Sequence, residues 1–245
     1  LLLTIMLAAS LLLTSIIQPI AWLLFTASRM PIVSGFGIAA RFGAAIQSLN
    51  PFLQSTLGDS QRLVTDRAWA ATIRTRLETP LIELLDNDDI SHVTIVAHSA
   101  GAAVAYEALF QGSPVAKLAN EREKPIRLIT MGSGLNHLWA FASMRNNGVP
   151  ERVALAEGRL DPDVVARAGD TRTSIDTFWT DLYARFDYVA AGPTGAQIVA
   201  HSGLEDGKHF RAHRVINYDH LIDDHGGYFR NKEQVIPRLL PVIVN

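Results

Sequence analysis

The stretch VTIVAHSAGAAVAYEALF, residues 93–110, does most to limit what this chain can fold into. It opens on a short β-branched run, Val93 to Ala97, of the kind that forms a strand buried on both faces. It closes on AAVAYEALF, whose small residues suit a helix packed tightly on a sheet. The same alternation recurs downstream. IRLITM at 126–131 is a second strand candidate, closed by Gly132-Ser133-Gly134, and 177–183 and 212–217 are the third and fourth. Trp69, Ile73 and Leu77, then Leu81 and Leu84, recur at helical spacing, with Pro80 expected to break or kink that helix. Asp161-Pro162-Asp163 before VVARA reads as a helix start. Asn231, with Gln234 three residues on, reads as the cap of a C-terminal helix. Strands alternating with helices predict an α/β fold with a parallel sheet covered by helices.

Charge divides the chain in two. Residues 1–50 hold two charged residues, Arg29 and Arg41, and residues 1–28 hold none. About 20 apolar residues span a bilayer core of roughly 30 Å, so this run is long enough to cross a membrane. A secretory signal fits less well, because a basic start is lacking and the apolar run is too long. Residues 31–49 are apolar but Gly-rich and interrupted by Arg41, which suits either a second, weaker span or a helix lying on the membrane. The expected organisation is a membrane segment over 1–50 and a globular part over 51–245. Arg29, Arg41, Arg62 and Arg67 all follow the first span, which places the globular part on the cytoplasmic side by the positive-inside tendency. The chain opens with Leu inside an apolar run, so it is expected to be a piece of a longer protein.

Composition excludes several chemistries. The absence of cysteine removes disulfides, a thiolate nucleophile and Cys-based metal sites. A net charge of −2 and a pI near 6.5 give no electrostatic reason to expect nucleic acid. Phosphate-loop, HExxH and dinucleotide signatures are missing, so no cofactor is expected. Asp219, His220, Asp223, Asp224 and His225 crowd into one loop and are not read as a metal site; Asp223 and Asp224 are expected to solvate or brace that loop.

The remaining signal is Ala97-His98-Ser99-Ala100-Gly101, set between a strand and a helix. A serine hydroxyl is a weak nucleophile, and a sharp strand-to-helix turn exposes it while aiming the Ala100 N–H and the helix N-terminus at a developing oxyanion. Such a turn is expected to crowd its neighbours, so Ala97 and Gly101 should need to be small. The pattern resembles the nucleophile elbow of lipase-type α/β-hydrolases, with Ala97 where the family has Gly. His98 beside the serine leaves the turn in another direction and is read as structural.

That resemblance implies a partial α/β-hydrolase fold over roughly residues 55–245, and a family order of Ser, acid, then His. Ser99 would be the nucleophile. Asp187, in the loop past the third strand, matches the family's acid, with Asp181 inside that strand as runner-up. His220 and His225 lie between the last strand and the final helix, and His225, before Gly226-Gly227, is favoured as base. The family's second oxyanion donor sits in an earlier loop. Ser34-Gly35-Phe36-Gly37 is the Gly-rich stretch available for it, inside the membrane-like segment. Without that donor the chain alone is expected to turn over esters poorly. Residues 133–175 occupy the place of a cap, where Leu138, Trp139 and Phe141 would suit an acyl chain or, equally, a core. The activity implied is that of a membrane-anchored lipase or esterase acting on a small-molecule or lipid ester. A thioesterase or acyltransferase would use the same residues, and a non-catalytic membrane protein could keep the scaffold for binding.

Overall fold

The computed structural model describes residues 62–110, 113–145, 178–204, 207–217 and 224–244. Four strands form one sheet: β1 (Val93–His98), β2 (Ile126–Met131), β3 (Trp179–Ala184) and β4 (Phe210–Val215). They lie side by side in chain order, and every neighbouring pair is parallel. The register sets Val93 beside Ile126, Leu128 beside Trp179 and Trp179 beside Phe210. An α/β architecture is therefore what these residues adopt. The last two strands start slightly earlier or later than their sequence patterns suggest, at 179 and 210.

Side chains alternate across a strand, so this register sorts the apolar residues onto two faces. One face carries Val93, Ile95, Ala97, Ile126, Leu128, Trp179 and Phe210. It is buried under α1 (Arg67–Asp86), α2 (Ala100–Phe110), α3 (Pro114–Glu121), α4 (Leu135–Arg145) and α5 (Ala196–Ser202). The other face carries Ile129, Met131, Leu182, Ala184 and Val215. These pack with Tyr228, Val235 and Leu239 from the C-terminal segment, which comprises a 3-10 turn (Tyr228–Arg230) and α6 (Ile236–Val244).

Helix α1 starts at a cap, where Asp66 Oδ1 accepts from the Trp69 N–H at 3.0 Å. It then runs through Pro80 as one helix, so of the expected break or kink the break does not occur. A proline inside a helix costs about 3 kcal/mol. Leu81 and Leu85 just beyond it are buried in the core, and each buried leucine is worth about 1.5–3 kcal/mol. Burial outweighs the lost hydrogen bond.

The C-terminal segment departs from expectation in a second way. Asn231 Oδ1 does accept from the Gln234 N–H at 2.8 Å, but residues 232–235 form turns and α6 opens only at Ile236. Gln234 does not reach back to the cap. Its Oε1 accepts from the Ile216 N–H at 2.7 Å and so ties down the exit of β4.

Helix α4 is part of this packed body. Leu135 and Leu138 belong to the core, and Trp139 packs against it with its ring edge-on to His201 at 5.0 Å. The first part of the stretch read as a cap is thus a core helix, and Leu138 is a core residue. Residues 146–177, with the helix start at Asp161, lie outside the described residues, as does the side chain of Phe141. So do residues 1–61 and with them the span at 1–28. Among the described residues no helix is long and apolar enough to cross a membrane.

Candidate active site

The end of β1 places the serine. The parallel ladder continues one residue beyond the strand, with the Ser99 N–H donating to the Met131 carbonyl at 3.1 Å. Ser99 then takes a left-handed backbone, φ 58°, and α2 begins at Ala100. That conformation costs a residue with a side chain about 1–2 kcal/mol and turns the chain sharply enough to leave the hydroxyl partly exposed. The Ala100 N–H belongs to the first turn of α2, where amides have no partner in their own helix. At Gly101 the expected crowding by other parts of the fold is not found. Among the described residues, a Cβ at Gly101 would meet nothing within 4 Å.

His225 meets this serine, 126 residues downstream, with Nε2 2.9 Å from Ser99 Oγ. Its Nδ1 lies 3.0 Å from Asp187 Oδ1 and 3.1 Å from Oδ2. A carboxylate only accepts, so the Nδ1 proton faces Asp187 and Nε2 is left to accept the Ser99 hydroxyl proton. Asp187 and His225 are both buried, while the serine end of the series is open to solvent. His220, Asp219 and Asp223 lie outside the described residues. Among those described, no group of three or more acidic, histidine or cysteine side chains could hold a metal ion.

Asp187 is held by more than the imidazole. Its Oδ1 accepts from the N–H groups of Val189 at 2.9 Å and Ala190 at 3.2 Å, and its Oδ2 accepts from the Tyr228 hydroxyl at 2.7 Å. Burial, the largest single influence, would push its pKa up. The hydrogen bond and charge of His225, then the Tyr228 and Ala190 bonds, outweigh it and leave Asp187 below the ordinary carboxylate value. Tyr228 is pushed strongly up by burial and by that carboxylate, so it stays a phenol and a donor. The Tyr188 phenol, whose ring centre is 6.5 Å from that of His225, is pushed up to about 12 by burial and by Asp187.

Asp181, the runner-up, stands inside β3 with other partners. Its Oδ1 accepts from the Thr130 hydroxyl at 2.7 Å and its Oδ2 from the Thr194 N–H at 2.7 Å. Burial raises its pKa. Among the described residues its carboxylate bonds are to Thr130 and Thr194 and not to an imidazole.

Several residues of the site escape the sequence reading. The Tyr228 hydroxyl accepts from the Ala184 N–H at 2.8 Å while donating to Asp187, so one phenol joins the end of β3 to the acid. Gly132, with φ +56°, leaves the space they need: a Cβ there would stand 2.6 Å from Asp187 Oδ2, 2.8 Å from Tyr228 and 3.0 Å from His225 Nδ1. Asn136 and His137 at the start of α4 clamp the acid loop. Asn136 Nδ2 donates to the carbonyls of Ala190 and Pro193, and His137 Nε2 to that of Tyr188 at 2.8 Å. Asp224 does not escape that reading: expected to solvate or brace the His225 loop, it accepts from the Phe186 N–H at 3.2 Å and links that loop to the acid loop. The sequence signals available were the glycine directly after a strand and the tyrosine three residues after His225.

A hydroxyl, a neutral imidazole and an ionised carboxylate in hydrogen-bonded series can move the serine proton onto His225 as charge builds on Oγ. No protein-family model matches this chain, and neither does any curated protein or solved structure.

Proposed function

We propose that this protein is a serine hydrolase of the lipase or esterase type, with a partial α/β-hydrolase fold, that cleaves carboxylic esters through an acyl-enzyme. One observation carries the reading: Ser99 Oγ, His225 and Asp187 form a continuous hydrogen-bonded series with spacings of 2.9 and 3.0 Å. The left-handed backbone of Ser99 at a strand-to-helix turn supports it, as does the order of serine after β1, acid after β3 and imidazole after β4.

In this mechanism Ser99 Oγ attacks the ester carbonyl carbon as its proton passes to His225 Nε2. Asp187 holds the resulting imidazolium, and the Ala100 N–H with the α2 N-terminus faces the oxyanion. The imidazolium then protonates the leaving alcohol, and water activated by His225 releases the acid. A fluorophosphonate probe tests the reading. Labelling that is lost in Ser99→Ala is the expected result; a wild-type chain that resists the probe would leave a binding scaffold as the better account. A thioesterase or acyltransferase would label equally and differ in leaving group or acceptor.

The uncharged run 1–28 supports anchoring to a membrane, with the globular part on the cytoplasmic side and a small-molecule or lipid ester as substrate. Removing residues 1–50 should shift the protein from the membrane fraction to the soluble one. A truncated chain that still sediments wholly with membranes would refute an anchor confined to that segment.

A further inference from the structure

The residue before the nucleophile makes two contacts that the proposed chemistry does not use. His98 Nε2 lies 2.8 Å from the backbone carbonyl of His225, and a carbonyl only accepts, so that nitrogen carries a proton. The same ring stacks on the His225 ring, with centroids 4.6 Å apart and planes 28° apart. Its other neighbours are aromatic: Phe229 lies edge-on at 5.6 Å and Tyr228 is tilted at 5.8 Å. His98 itself ends β1 and is therefore fixed by the sheet ladder, paired in register with Met131.

These contacts add to those that tie down the preceding residue, where Asp224 accepts from the Phe186 N–H at 3.2 Å through its side chain and from Asn217 Nδ2 at 2.7 Å through its carbonyl. His225 itself sits in the turns at 224–226. Hydrogen bonds to Ser99 and Asp187 fix the two nitrogens of its ring. Those two bonds do not by themselves oppose rotation of the ring about the line joining those nitrogens, and neither reaches the backbone. The hydrogen bond from His98 holds the His225 carbonyl, and its flat ring against the imidazole face opposes the rotation. We propose that His98 is a positioning residue, which docks the His225 loop onto the end of β1 by one hydrogen bond and one ring stack and so keeps Nε2 in line with Ser99 Oγ. The proposal rests on the hydrolase reading above for its consequence in rate. Burial lowers the His98 pKa, which suits a ring that must stay neutral beside an imidazole that becomes charged.

Three variants of the full chain separate the two contacts. His98→Phe keeps a ring and loses the donor; His98→Gln keeps an amide donor of similar reach and loses the ring; His98→Ala loses both. The readouts are the rate of Ser99 labelling by a fluorophosphonate and the downfield proton resonance of the His225–Asp187 hydrogen bond. Phe and Gln each lose one of the two contacts, so each should label roughly 3- to 10-fold more slowly than wild type. Ala loses both and should label roughly 10- to 100-fold more slowly, since a small misplacement of a reacting group can slow a reaction about 100-fold. The downfield proton should be sharp in wild type and broadened in all three variants. If Ala does not fold, Phe and Gln alone decide the matter. Either Phe or Gln labelling within about twofold of wild type with a sharp proton signal overturns the two-contact proposal. A wild type that never labels overturns the hydrolase reading instead, and the resonance then reports by itself whether His98 holds His225.

Discussion

Asp181 lies inside β3 and Asp187 in the loop beyond it, six residues apart, and they are 1% and 2% exposed. Burial alone would treat them alike. Their pKa values nevertheless move in opposite directions, Asp181 up and Asp187 down. The Asp181 surroundings offer a threonine hydroxyl and an amide, with the Thr130 hydroxyl also receiving the Trp179 indole N–H at 3.0 Å. Those bonds pull its pKa down but do not offset desolvation, and the charge of Asp187 raises it further. The Asp187 surroundings add an imidazole that can carry positive charge. A buried carboxylate is held in its ionised form when a chargeable partner faces it, and pushed toward its neutral form when only neutral donors do.

The largest test of this contrast is Asp187→Asn. An amide cannot hold the His225 imidazolium, and the corresponding change in a serine protease lowers turnover about 10⁴-fold. Ser99 labelling should fall by a similar factor. If Asp181→Asn caused the larger fall, the two roles would have to be exchanged.

Tyr228→Phe should act less strongly. It removes one donor from Asp187 and leaves the buried Ala184 N–H without its acceptor, which destabilises the fold by about 1–3 kcal/mol. The sign of its pH effect follows from the direction of the shift. Asp187 has a depressed folded pKa, so its stabilisation is present above the ordinary carboxylate value of 3.8 and is lost as pH falls through the lower folded value. Without the Tyr228 bond the folded value moves up, and acid unfolding followed by circular dichroism should begin at a higher pH than in wild type. Onset at a lower pH would show that the phenol does not favour the ionised acid.

The smallest effect belongs to Asp181→Asn. The amide oxygen can still accept from the Thr194 N–H, and its nitrogen can donate to the Thr130 hydroxyl, so labelling should stay within about twofold of wild type. A raised folded pKa means that the ionised form opposes folding, and that this penalty fades as pH falls toward 3.8. Stability of the variant relative to wild type should therefore be greatest at high pH and shrink on acidification. A relative stability that grows on acidification would reverse the reading of this site.

What could be read from the sequence was what neighbouring residues decide. The strand, the turn at Ser99 and the helix after it come from adjacent side chains and the local backbone. The positions of Asp187 and His225 could be reached only through the chain order of a resembling family, because no local pattern reports contacts across 38 and 126 residues. Tyr228 and Asn136 were missed for the same reason. Each looks like an ordinary element-terminal residue until the sheet brings it against the acid loop. Pro80 misled because its local penalty is visible in sequence, whereas the burial of Leu81 and Leu85 that offsets it belongs to the folded core.

Gly132 carries a consequence for inheritance. The methyl group it lacks would collide with Asp187, Tyr228 and His225, and its φ of +56° disfavours any side chain as well. The four positions therefore do not vary independently. A library randomised at 132 alone and selected for the working site should return glycine. A lineage that first lost Asp187 or Tyr228 could admit alanine there and could then no longer regain the acid in one step. The route back would be closed by a single carbon atom.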